Sequence, residues 1–301
     1  ARAGADLLSI ESTGGKEISD RALMEADIPA LLVALGILAP RDMHFLWQEI
    51  VSISATEGVI PAGDTACAFA NTAMVLADRQ YIPNVLAAVV RAMSAVRSLV
   101  AFEEGAVGPS KDCAYEGPVL KAIAGCPISM EGKSSACAHF SHMGNIAAAS
   151  CDLWSNESVQ NVQLLSGSAP EVFTEILAYD CRLMNQSFRT GDQSGLQKLF
   201  VDSDVQQSVH ALMVSPAASF SIAQAIVAES DEYLRTRSAG LTACHIIREA
   251  VKDDRLSLPT REINWLDRIE STLGECSDKE GIYDDVCERY HGSFLPAEYD
   301  L

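Results

Sequence analysis

The stretch ADLLSIES, from Ala5 to Ser12, indicates a buried β-strand. It is a short apolar run with Gly4 before it and two glycines shortly after it, and runs of this length between turn residues are typical of strands in a parallel sheet. This strand is predicted to end at Glu11. Four further runs are strand candidates for the same reason: VIPAGD (59–64), RSLVAFEEG (97–105), CPISMEG (126–132) and VQNVQLLSG (159–167).

Helical patterns lie between these runs, as in RDMHFLWQEIVSISATEG (41–58), where apolar residues recur on one helical face. Strands that alternate with helices predict parallel βα units, and 301 residues could form one large α/β barrel or two ordinary domains. We expect the single α/β fold of the (β/α)8 TIM-barrel type. We divide the chain into barrel βα units (1–170) and a remaining barrel helix with a C-terminal helical layer (171–301), within one structural unit. A closed barrel needs eight strands. With five found, either three strands precede Ala1 or the sheet is open.

The composition of the chain argues against several classes of protein. The net charge of −19, from 22 basic and 41 acidic residues, argues against a nucleic-acid partner. The hydrophobic content of 48% can fill a large core.

The longest apolar run, Ile28 to Ala39, contains Pro29 and Gly36 and is too short to span a bilayer. Nine cysteines without a CxxC pair argue against a disulfide framework and a zinc ribbon, and they fit a reducing cytoplasm.

Chemically active side chains recur where the predicted strands end: Glu11, Asp64, Cys67, Cys113 and Glu131. In a parallel barrel these positions share the C-terminal face, where active sites form. If the barrel closes, Glu11, Cys67 and Cys113 converge near its axis. Two thiolates and a carboxylate suit zinc, and three protein ligands leave the fourth tetrahedral position open, as in a catalytic site.

Spacing alone leaves other interpretations open. Free cysteines are often small core residues. Asp64 and Asp112 either orient metal ligands or cap helices, and Lys111 either assists the site or is solvated. His139 and His142 form a helical metal pair or have a loop or capping role. We assign the isolated histidines to packing or surface roles: His44, His210, His245 and His291.

Several long blocks, in this order, closely resemble the zinc-containing subunit of methanol:corrinoid methyltransferases: GADLLSIESTGGKE, AGDTACAFANTAM, RSLVAFEEGAVGPSKDCAYE, MEGKSSACAH and CDLWSNESV. The resemblance implies a (β/α)8 barrel with added helices and one zinc ion. The family's ligand motifs match SIES, GDTAC and GPSKDC here, which implies Glu11, Cys67 and Cys113 as the ligands. Family members also have a long segment with early barrel strands before the first block, and this favours the missing strands over an open sheet.

The resemblance further implies a mechanism and partners. Zinc would act as a Lewis acid on the oxygen of methanol, and the methyl group would pass to the Co(I) corrinoid (cobalamin) of a partner protein docked over the barrel mouth. Asp64 and Glu131 are the candidates for handling the proton, and a homodimer is expected. The alternatives are a related zinc barrel that demethylates another donor, such as a methylamine or a methoxylated compound, and a truncated barrel that only binds.

Overall fold

Five short strands are present in the computed structural model, which describes residues 1–63, 66–112, 115–130, 132–154, 168–299 and 301. All strand pairs are parallel. One sheet pairs β1 with β2, and the other has the order β3-β4-β5. The strands are β1 Leu7–Leu8, β2 Ile60–Pro61, β3 Ser110–Asp112, β4 Ile128–Met130 and β5 Leu153–Trp154.

The backbone between the two sheets is in direct contact. The N–H of Val107 donates to the carbonyl of Pro61 (2.9 Å), and the N–H of Gly108 donates to the carbonyl of Ala62 (2.6 Å). Gly108 has a φ of +88°, and a Cβ there would lie 2.8 Å from Cδ of Pro127, so only glycine fits this approach. The two sheets are therefore neighbours, and β3 follows directly from the segment that contacts the end of β2.

Helices make up most of the remaining chain. They are α1 Lys16–Glu25, α2 Ile28–Val33, α3 Ala39–Glu57, α4 Cys67–Asp78, α5 Asn84–Glu103, α6 Gly117–Ala124, α7 Lys133–Ala136, α8 Gly144–Ser150, α9 Pro170–Thr190, α10 Gln193–Asp204, α11 Val209–Val214, α12 Pro216–Val227, α13 Glu232–Lys252, α14 Thr260–Glu275 and α15 Lys279–Arg289. A π-helical turn (Ala34–Leu38) joins α2 to α3, and 3-10 turns occupy Ala138–Phe140 and Pro296–Tyr299.

Helix α5 is the centre of the hydrophobic core. Every residue from Val85 to Ala101 is buried, and the helix packs against α3, α4, α6, α11, α13 and α14. By length and composition, this helix and the stretch Ile28–Glu57 could each cross a membrane, but 94% and 72% of their apolar windows are buried inside the protein. Such burial is typical of core helices in a folded domain.

The structure is a mostly helical α/β fold with small parallel sheets, which confirms the predicted fold class at that level. The described strands form one pair and one triplet and do not show a closed eight-stranded ring. Residues 168–299, as described, contain helices and no strand, in agreement with the predicted helical C-terminal part.

The strand predicted at 97–105 is wrong, because these residues continue α5 to Glu103. A short apolar run such as SLVAF does not separate a buried strand from a buried helix. The actual strand, β3, lies a few residues later in the polar run Ser-Lys-Asp, which was not among the strand candidates. Strand β5 was also missed, and the candidate strand at 159–167 lies outside the described residues.

His44 of α3 lies between two carboxylates and makes stability depend on pH. Its Nε2 is 3.6 Å from Oε1 of Glu232, and its Nδ1 is 2.5 Å from Oε1 of Glu104. Hydrogen bonding to Glu232, with a further contribution from Glu104, raises the pKa of His44 from 6.5 to about 9 against the opposing effect of burial.

Because this pKa is raised in the folded state, the stabilisation is complete below about pH 6.5 and is lost as the pH rises through about 9. We expect the unfolding free energy of the wild type to exceed that of His44→Gln at pH 6, and the difference to shrink by pH 10. Urea unfolding of both proteins at pH 6, 8 and 10 measures this. A difference that does not change with pH would contradict it.

Candidate functional site

Glu11 and Cys67 meet at the N-terminus of helix α4. Cys67 is the first residue of that helix, and Glu11 follows strand β1 by three residues. Oε1 of Glu11 accepts a hydrogen bond from the N–H of Ala68 at 2.5 Å. The first amides of a helix lack partners within the helix and favour negative charge. The structure therefore places this carboxylate beside the residue that follows Cys67.

A second carboxylate caps the same helix from another segment. Oε1 of Glu116, which is 1% exposed, accepts from the N–H of Ala66 at 2.5 Å and from the hydroxyl of Ser98 at 2.9 Å. The amides on either side of Cys67 are thus held by carboxylates from two distant parts of the chain. Sequence reasoning did not identify this role for Glu116.

Glu116 also brings the described chain that follows Cys113 close to this helix. Strand β3 ends at Asp112, and the described chain resumes at Tyr115, directly before Glu116. Cys113 itself lies outside the described residues. Glu116 lies three residues after Cys113 in sequence, and its contact with Ala66 places it next to Cys67.

The other predicted site residues are placed only in part. Asp64 and Glu131 lie outside the described residues, and so does the side chain of Asp112. Lys111 is half-buried in β3, opposite Ser129 of β4. Within the described ranges, no group of three or more His, Cys, Asp and Glu side chains is arranged to hold a metal ion.

Most of the other cysteines have thiols whose pKa is raised, which makes them poor candidates for a metal site. Burial raises the pKa of Cys151 and Cys244 to about 12, and it also raises the pKa of Cys137, Cys181 and Cys276. These side chains remain neutral thiols at neutral pH. Metal ligation and nucleophilic attack both require the thiolate.

Two buried arginines on α5 connect the segments around the site. Nη2 of Arg97 donates to the carbonyl of Ser12 (3.3 Å), directly after Glu11. Nε of Arg91 donates to the carbonyl of Tyr115 (3.2 Å). A charged side chain is rarely buried without partners. The arginines in VVRAMSAVRSLV were therefore an available signal that the sequence interpretation missed.

His139 makes a loop contact with α4 instead of forming a helical pair with His142. It lies in the 3-10 turn before α8, and its Nε2 is 3.0 Å from Oδ1 of Asn71. The hydroxyl of Tyr115 donates to the same oxygen at 3.3 Å. Asn71 is one helical turn after Cys67, so these three side chains form a polar cluster next to the candidate site.

Comparisons with known proteins agree on one family. The sequence model of the methanol-cobalamin methyltransferase B subunit (MtaB) matches residues 1–300. A methanol–corrinoid protein co-methyltransferase from Methanosarcina barkeri is 41% identical over 307 aligned positions, which cover 99% of this chain and 66% of that protein. The crystal structure of the methanol:cobalamin methyltransferase complex MtaBC, from the same species, superposes with a TM-score of 0.90 at 40% identity, again over 99% of this chain and 66% of that one.

The chain thus spans about two thirds of the length of the relatives that it matches. The agreement in sequence and in fold extends over nearly all of its own residues, including the segments of Glu11, Cys67 and Glu116. The chain belongs to the methanol-cobalamin methyltransferase B subunit family.

Proposed function

We propose that this protein transfers the methyl group of methanol to the Co(I) corrinoid of a partner protein, at a zinc site formed by Glu11, Cys67 and Cys113 in a (β/α)8 barrel. The observation that carries the proposal is the pair of carboxylates, Glu11 and Glu116, bonded to the amides on either side of Cys67. They place Glu11 beside Cys67, and they place Glu116, which is three residues after Cys113 in sequence, at the same helix end. The names of the relatives support the substrate and the corrinoid partner.

The residues present fit a zinc ion. Zinc accepts thiolate and carboxylate ligands, and a site with three protein ligands keeps a position open for the substrate. The amides at the N-terminus of α4 favour negative charge, which supports a thiolate at Cys67. When bound, zinc would supply Lewis acidity to the alcohol oxygen, whose departure as hydroxide is otherwise unfavourable.

The protein's own residues provide position and a fixed electrostatic environment. The Ala68 amide holds the carboxylate of Glu11, and Glu116 fixes the first turn of α4, so the ligand side chains start from defined backbone positions. Asp64 and Glu131 remain our candidates for handling the proton that converts the leaving oxygen to water. Asp112 and Lys111 remain candidates for orienting the ligands.

The partner would bind where the strands end. A corrinoid carried by a separate protein can reach the site only if the carrier docks over the loops that follow β1, β2 and β3. We further propose a homodimer in the cytoplasm. The helical part from residue 171 onward would then contribute to the outer layer of the same structural unit.

A donor panel tests the function. Purified protein, loaded with zinc and mixed with the Co(I) corrinoid protein, should form methyl-Co(III) from methanol, and the change in the corrinoid absorbance spectrum measures the rate. Methylamine and a methoxylated aromatic compound serve as matched donors and should react at least about 100-fold more slowly, because a site that bonds a substrate hydroxyl discriminates strongly against other groups.

The alternatives give different results in the same assay. Transfer from another donor without transfer from methanol would indicate a related zinc barrel of different specificity. No transfer from any donor by protein that retains zinc would indicate a barrel that only binds.

A further inference from the structure

Asn71 presents a side-chain amide beside the candidate metal site. It is four residues after Cys67 in α4, and residues at this spacing lie on the same face of a helix. Its Oδ1 accepts from the hydroxyl of Tyr115 and lies 3.0 Å from Nε2 of His139. Tyr115 is two residues from Cys113, so the cluster joins the segments of two proposed ligands.

These contacts fix the orientation of the amide. The hydroxyl of Tyr115 and the Nε2–H of His139 converge on Oδ1, which directs the two Nδ2 protons of Asn71 away from these two donors. The 3.0 Å contact requires the proton of the imidazole to be on Nε2 of His139. Burial lowers the pKa of this histidine, with Arg91 adding to the effect and Asp78 opposing it, so the ring is neutral at neutral pH.

The backbone around His139 is strained and is held from two sides. His139, Phe140 and His142 have φ values of 61°, 54° and 53°, in the left-handed region that side chains other than glycine rarely adopt. The hydroxyl of Ser141 donates to the carbonyl of Ala136 (2.7 Å), and the hydroxyl of Ser208 donates to the carbonyl of Ser141 (2.6 Å). Backbone of this kind persists where the surroundings impose it, and it clusters at functional sites.

We propose that Nδ2 of Asn71 donates a hydrogen bond to the oxygen of a small alcohol bound beside Cys67, and that His139 and Tyr115 are positioning residues that orient this amide. The inference rests on the proposed function and adds to it a basis for substrate choice. An alcohol oxygen can accept from an amide, whereas a protonated methylamine has only donors. Asn71 would therefore favour methanol over methylammonium.

Kinetics of matched variants test the role of Asn71. Asn71→Leu keeps the size and removes the donor, and we expect the KM for methanol to rise about 10-fold while kcat and zinc content stay within about twofold, as for loss of a binding contact made equally in the ground and transition states. His139→Leu should raise KM in the same direction. His139→Gln should have the KM of the wild type, because the glutamine amide can donate to Oδ1 of Asn71. His142→Leu, in the same strained loop, is the control and should behave as the wild type.

A second measurement does not depend on activity. The ¹⁵N shifts of the His139 ring should show the Nε2–H form in the wild type and a mixture of both neutral forms in Asn71→Leu. An unchanged KM in Asn71→Leu, with an active wild type, would overturn the inference, and so would a loss of zinc that accounts for all lost activity. An inactive wild type with the expected ¹⁵N shifts would instead overturn the proposed function and leave the orienting contact intact.

Discussion

Cys67→Ala should lose its bound zinc, and methyl transfer from methanol should fall by at least about 100-fold. Removing a neighbour that only orients a ligand already costs about 10–100-fold in metal affinity or activity, and loss of a direct ligand costs more. Cys67 is the first residue of α4, where Glu11 and Glu116 bond to the adjacent amides, so no other thiol can take its place without moving the helix. Metal analysis after dialysis and the corrinoid assay measure both effects.

Cobalt substitution tests whether each of the two cysteines contributes a thiolate to the metal. A cobalt(II)-loaded protein should show thiolate charge-transfer absorbance that falls by about half in Cys67→Ala or Cys113→Ala and disappears in the double variant. Cys181→Ala is the matched control, since Cys181 is half-buried in the middle of α9 and burial raises the pKa of its thiol. If Cys67→Ala retained zinc as well as Cys181→Ala does, the proposed ligand set would be wrong.

Glu116→Ala should lower the unfolding free energy by about 2–6 kcal/mol and should also weaken zinc retention. The substitution leaves the Ala66 amide and the Ser98 hydroxyl without this acceptor, and each buried donor left unbonded costs about 1–3 kcal/mol. Glu116→Gln retains an acceptor oxygen and should lose less. Urea unfolding gives the free energies, and dialysis against a weak chelator gives the relative zinc affinity.

Glu262 provides the control for this substitution. Its carboxylate is also buried and accepts from two amides at the start of a helix, those of Asn84 and Val85 in α5, away from the site. Glu262→Ala should therefore destabilise the fold to a similar degree and keep its zinc. Equal zinc loss in both variants would mean that metal retention follows global stability and not the position of Cys67.

The strands that sequence reasoning located are those with an apolar run before a turn: β1 after Gly4, β2 before Gly63 and β4 before Gly132. Strand β3 has no such run, because Ser-Lys-Asp carries no hydrophobic signal, and its pairing with β4 depends on residues that are distant in sequence. The apolar end of α5 resembles a strand in sequence, because a helix buried on all sides has no polar face to mark its period.

At the candidate site, chain position indicated the proposed ligands but not their surroundings. Glu11 and Cys67 follow strand ends, which the sequence showed. Glu116, Asn71 and His139 act through contacts across 50 to 68 residues, which no local pattern encodes. The buried guanidiniums of Arg91 and Arg97 were readable as charges in an apolar helix, but their partners were not.

The burial of α5 on every side has a consequence for synthesis of the chain. Its contacts with α13 join segments separated by about 130 residues, since α5 ends at Glu103 and α13 begins at Glu232. At about 5–20 residues per second, a ribosome needs roughly 6–26 seconds to produce that interval. During this time α5, an apolar helix without a polar face, leaves the exit tunnel before α13, which packs against it, has been synthesised. The segment Val85–Ala101 is therefore where a nascent chain of this family would most need a chaperone.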